Sequence, residues 1–170
     1  LYYRDTTINF IKFLFYLLPM AILIGPFASD LIISLLALFF IIIAVLEKLK
    51  KYFYNKVTVF FITFNIFLII SSILSEFPLL SLESSLLYFR FLCFSLCIWF
   101  LLDEDTDIIR KFSIALFVTF IVAILSGYCQ YFTGFNIFGI TSESQRLTLL
   151  LSEKLYLGGY LARLMPFTLG

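Results

Sequence analysis

Charged side chains set in apolar surroundings are the residues of this chain whose types and spacing bear on chemistry. Arg90 lies in the run Leu86-Leu87-Tyr88-Phe89-Arg90-Phe91, where a charge is costly if the run crosses a bilayer. It either lines a cavity or substrate path, or snorkels outward, or pairs with Glu83 two turns earlier on the same helix face. Arg146, Glu153, Lys154 and Arg163 form a second group further along. Guanidinium groups are planar, permanently charged donors suited to phosphate and diphosphate oxygens. Convergence of Arg90, Arg146 and Arg163 would make an anion site that suits a lipid with a diphosphate headgroup; the plainer alternative is that these cations hold interfacial lipid phosphates or acidic neighbours. Glu153 is the only acid near the start of the last apolar segment. It is a candidate general base, a group that orients Arg146, or a charge satisfying a helix N-terminus.

Other chemistries find little support. The chain has three cysteines and no histidine. Cys93 and Cys97 are four apart within an apolar run and read as small apolar filler, because a tetrahedral zinc site wants four ligands. There is no glycine-rich phosphate loop, Ser/His/Asp set or carboxylate metal cluster, so neither a metal nor a cofactor is expected. A net charge of +1 excludes a general basic attraction to nucleic acid.

The elements that must position these residues are membrane spans. The chain is 62% hydrophobic and 14% charged, with a mean hydropathy of +1.08, against about 45–50% and about 25% in soluble domains. A bilayer core of about 30 Å needs about 20 apolar residues in a helix. Five segments approach that length, at residues 8–24, 31–46, 57–75, 84–102 and 112–132, and a sixth starts near Leu155. Gly25-Pro26 is expected to turn the chain between the first two, with Asp30 capping the second. Both are slightly short, so membrane thinning or snorkelling by Lys12 and Lys48 is expected. The acidic run at residues 103–107 suits the N-terminus of the fifth helix, and a fourth helix beginning near Ser84 would set Arg90 about 9 Å deep. The expected fold is therefore an all-α, polytopic transmembrane helix bundle of about six spans forming a single domain over residues 1–170. A chain that begins at Leu1 and stops at Gly170 within an apolar stretch is expected to be the N-terminal portion of a longer protein.

Orientation follows from lysine and arginine. Lys48, Lys50, Lys51 and Lys56 mark the loop between spans two and three as cytoplasmic, and alternation adds Arg4, Lys12, Arg110 and Lys111 to that side. The N-terminus is thus expected in the cytoplasm, and the loop at 133–154 outside.

Three stretches carry a resemblance: Gly25-Pro26-Phe27-Ala28-Ser29-Asp30; Tyr88-Phe89-Arg90-Phe91; and Tyr131-Phe132-Thr133-Gly134-Phe135-Asn136 followed by Arg146-Leu147-Thr148, Glu153, Leu157-Gly158-Gly159-Tyr160-Leu161, Arg163 and Pro166. On these residues the chain resembles the bacterial O-antigen ligase and O-antigen polymerase family. Leu149 and Leu151 stand where that family commonly has Gly and Phe, which removes the close backbone approach a glycine would permit. The resemblance implies metal-independent glycosyl transfer on the periplasmic face of the inner membrane. The donor would be a glycan on undecaprenyl diphosphate, and the acceptor lipid A-core or another lipid-linked repeat. It also implies that Arg146 binds the diphosphate and stabilises its leaving charge, with Arg90 and Arg163 assisting, and that the catalytic base lies in a large periplasmic loop further on. Two other classes remain open: a transporter or flippase for a lipid-linked sugar, with Arg90 on the translocation path, and a structural membrane subunit without substrate.

Overall fold

A single residue, Gly25, separates the first two helices in the computed structural model, which describes residues 2–135. Helix α1 (Tyr2–Ile24) closes with the Gly25 amide donating to the Ala21 carbonyl at 3.1 Å, and α2 (Pro26–Leu46) opens with the Ser29 amide donating to the Gly25 carbonyl at 3.3 Å. Proline is favoured at a first helical position, where its missing N–H costs nothing and its fixed φ already suits the helix. The second helix therefore starts five residues before the position expected from hydropathy. Asp30 lies inside it and does not cap it. The spans Arg4–Ile24 and Pro26–Leu46 are 21 residues each, about 31 Å at the helical rise, so no membrane thinning is needed to accommodate them.

The remaining elements are a short α3 (Lys50–Phe53), α4 (Lys56–Ile73), α5 (Pro78–Leu87), α6 (Phe89–Glu104) and α7 (Ile108–Thr133). Every regular element among the described residues is helical, and five stretches are long and apolar enough to span a membrane, α5 and α6 together making one of 27 residues. In lipid a spanning segment must satisfy its own backbone hydrogen bonds, which helices do. This is a multi-pass helical membrane protein.

The described residues divide into two compact units, 2–11 with 33–106, and 12–32 with 107–135. In the first, α1 and α2 run antiparallel: Phe10 meets Phe39 edge-on at 5.2 Å, and Arg4 meets Glu47. An aromatic cluster joins α2, α3 and α6, with Phe40, Tyr52 and Phe100 centroids 5.9–6.2 Å apart. Helix α6 buries Leu92, Cys93, Leu96, Cys97, Phe100 and Leu101 along one stripe, and both thiols are free. Helix α4 packs chiefly on α5. Its N-cap is Asn55, whose Oδ1 accepts from the Thr58 amide at 2.8 Å while Nδ2 donates to the Tyr52 carbonyl at 2.8 Å, so one side chain stitches α3 to α4.

The fourth span starts at Pro78, six residues before the expected boundary, again with proline at the first turn. Inside it, at Tyr88, the backbone stays helical but tightens: the Tyr88 amide donates to the Ser85 carbonyl at 3.3 Å and the Phe91 amide to the Tyr88 carbonyl at 3.1 Å. These three-residue closures are a 3₁₀ turn within a membrane helix.

In the second unit, Phe15 stacks on Phe112 at 4.5 Å. The buried stripe of α7 consists mostly of small or polar residues, Thr119, Ala123, Ser126, Gly127 and Gln130 among them, as helix interfaces within lipid favour. Gly134 ends the helix in the left-handed conformation (φ 77°), its amide donating to the Gln130 carbonyl at 2.9 Å. The sixth expected span lies outside the described residues.

Candidate functional site

Two charged regions differ in kind. The first is Arg90, two residues past the 3₁₀ turn at Tyr88. Its side chain is half-buried, Nη1 donates to Ser34 Oγ on α2 at 3.4 Å, and the guanidinium carbon lies 5.1 Å from the centre of the Phe91 ring. A hydroxyl and an aromatic face are both favourable company for a guanidinium withdrawn from water. Of the alternatives the sequence left open, pairing with Glu83 is not made: Glu83 is exposed, and the Arg90 guanidinium donates to Ser34 on α2. Its position along the helix also changes. Twelve residues separate it from Pro78, about 18 Å along the helix, where about 9 Å was expected from a start at Ser84. Arg90 therefore sits well within the span.

Arg146, Arg163 and Glu153 lie outside the described residues. Arg90 is the member of the expected diphosphate site whose surroundings are on view, and Ser34 and Phe91 are its neighbours.

The second region joins the start of α1 to the ends of α2 and α6. Arg4 Nε donates to Glu47 Oε1 at 2.7 Å, and Arg4 Nη2 reaches Glu104 Oε1. Beside them Lys51 Nζ donates to Asp103 Oδ2 at 2.6 Å, and the Tyr52 hydroxyl donates to the same oxygen at 3.0 Å. Burial, together with the hydrogen bond to the Asp103 carboxylate, pushes the Tyr52 phenol up to about 12. Asp103 and Glu104 thus close α6 by gathering cations. The acidic run was expected to cap the fifth helix; its Asp107 does occupy the N-cap of α7, but makes no side-chain capping hydrogen bond. Sequence reasoning placed Arg4 and Lys51 on one side of the membrane yet missed their carboxylate partners. The signal was available: alternation puts the start of span one and the ends of spans two and four on the same side, and those three termini carry opposite charges.

Chemically the two regions are unlike. The second is an ion-pair network whose charges answer one another. The first holds a permanent cation inside a span, which suits an anion or the path of one. Among the described residues no group of three His, Cys, Asp or Glu side chains is placed to hold a metal ion. Set against protein-family models, curated proteins and solved structures, the chain matches none of them.

Proposed function

We propose that the chain is the N-terminal membrane portion of a glycosyltransferase that moves a glycan from undecaprenyl diphosphate at the periplasmic face of a bacterial inner membrane, in the manner of an O-antigen ligase or polymerase. The observation that carries this reading is Arg90: a half-buried guanidinium deep in a span, beside a serine hydroxyl and an aromatic ring, within the Tyr88-Phe89-Arg90-Phe91 motif. Arg146 would take the diphosphate, Arg163 and Arg90 would add positive potential, and the acceptor would be lipid A-core or a second lipid-linked glycan. Charge stabilisation of a leaving diphosphate needs no metal where fixed cations already face it.

The test is complementation of a deletion of the full-length gene, read as the profile of lipid-linked and finished glycan. Arg146→Ala is expected to lower transfer by about 10²–10³-fold, the usual loss when one preorganised charge-stabilising donor is removed. Arg90→Ala is expected to lower it less, and Arg90→Lys, which keeps the charge, less than Arg90→Ala. Long polymer left on the carrier with bare lipid A-core identifies a ligase; single repeats on the core identify a polymerase. An unchanged profile in the deletion, with no redundant homologue present, would sink the proposal.

A second reading, a transporter or flippase for a lipid-linked sugar, draws on the 3₁₀ turn at Tyr88, since interrupted spans beside a charge are a feature of transport paths. It predicts that Arg90→Ala traps lipid-linked glycan on the cytoplasmic leaflet, whereas loss of transfer leaves it on the outer one.

A further inference from the structure

Four lysines crowd the segment between α2 and α4, yet they are not equivalent. Lys51 is held by Asp103. Lys48, Lys50 and Lys56 are exposed and form no ion pair among the described residues, while the neighbouring Glu47 and Glu104 are taken up by Arg4. Lys48, Lys50 and Lys56 are therefore exposed charges outside the ion-pair network that Arg4 and Lys51 make with Glu47, Asp103 and Glu104.

Beside them is an open groove of about 580 Å³ lined by Tyr54, Asn55, Lys56, Val59 and Phe60. Its lining is graded. Polar groups sit at the mouth of α4, and two apolar side chains, Val59 (59% exposed) and Phe60 (73% exposed), follow one turn into the span. The exposed apolar surface continues along α4 through Ile66 and Phe67. A ligand that fits this order must present an anion at the membrane boundary and hydrocarbon beneath it.

We propose that the groove is a specific seat for one anionic phospholipid. Lys56 and the Tyr54 hydroxyl face its phosphate, Lys48 and Lys50 supply the surrounding positive potential, and an acyl chain lies over Val59 and Phe60. Charge complementarity and the polar-to-apolar grading argue for a lipid over a soluble anion, which has no use for the apolar half. The lysines act through the field near the membrane surface, where each contributes about fivefold in affinity for an anionic leaflet. This inference stands whether or not the chain transfers glycans.

The experiment uses the full-length protein in nanodiscs of phosphatidylethanolamine and phosphatidylglycerol, with lipids retained after detergent extraction counted by native mass spectrometry. The wild type is expected to retain phosphatidylglycerol preferentially. The combined Lys48→Gln, Lys50→Gln, Lys56→Gln variant is expected to lose about fivefold in preference per lysine. Phe60→Ala, which leaves the charges intact, is expected to shorten retention of the lipid. Arg110→Gln, an exposed cation outside the groove, should keep the wild-type preference. An unchanged preference in the lysine variant overturns the proposal, as does an equal loss in Arg110→Gln. Displacement of the lipid by equimolar soluble glycerol phosphate would reassign the groove to a free phosphate.

Discussion

Helix α4 and the span that α5 and α6 make together are both apolar enough to cross a membrane, yet of the 18 most apolar consecutive residues of each, 11% are buried in α4 against 39% in the span containing α6. In water such a difference would follow hydrophobicity. Here it does not, because lipid solvates leucine and phenylalanine as well as a protein interior does. The buried residues of α4 are Thr58 and Asn65, seven apart, while its Phe60, Phe64 and Phe67 are exposed. The buried stripe of α6 alternates bulky Leu92, Leu96 and Phe100 with the small Cys93 and Cys97, which lets neighbouring helices approach. Shape and polar groups, more than apolarity, decide which face of a membrane helix turns inward.

The comparison can be broken by substitution. Phe100→Ala in α6 is expected to cost about 3–5 kcal/mol, because Phe100 is 1% exposed and meets both Phe40 and Tyr52. A denaturing-detergent titration of the folded protein checks it, and a cost below 1 kcal/mol would mean that the stripe is not packed as described. At the near end of α4, Asn55→Ala removes a cap and its tie to α3, with an expected loss of about 1–2 kcal/mol by the same titration.

Tyr52→Phe is expected to cost about 1 kcal/mol by removing the hydrogen bond to Asp103, and it sharpens the contrast through pH. The Tyr52 phenol is raised from 10 to about 12, so the folded state holds the proton more tightly than the unfolded one. Its contribution is complete below pH 10 and is lost as pH rises through 12. Alkaline titration should thus weaken the wild type across that window and leave Tyr52→Phe flatter. The smallest effect belongs to α4: Phe67→Ala, at a site 65% exposed, is expected within about 0.5 kcal/mol of zero. A loss as large as that of Phe100→Ala would erase the distinction between the two helices.

Legibility followed the same physics. Long apolar runs announce spans, so the spans that fall among the described residues were readable. The starts at Pro26 and Pro78 were not, because counting hydropathy begins where polar residues stop, and Ser81, Glu83 and Ser84 are carried inside α5 by a proline that opens the helix early. Arg90 stood out as a charge in an apolar run. Its neighbour Ser34 did not, since the sequence does not say which helices lie side by side. Asp103 looked like a cap for the helix after it, and its bond to Lys51 depends on α3 folding back onto the end of α6.

The docking of α3 leaves an optical handle. Trp99 is the single tryptophan in the chain, and Tyr52 meets it edge-on at 5.3 Å. The indole is 37% exposed, on the rim of the aromatic cluster. Excitation of tyrosine therefore has a near acceptor at the one place where a four-residue helix closes over the bundle. If α3 lifts, that transfer fades and the indole meets a different solvent, so the emission of one residue reports whether α3 is seated, with no label added.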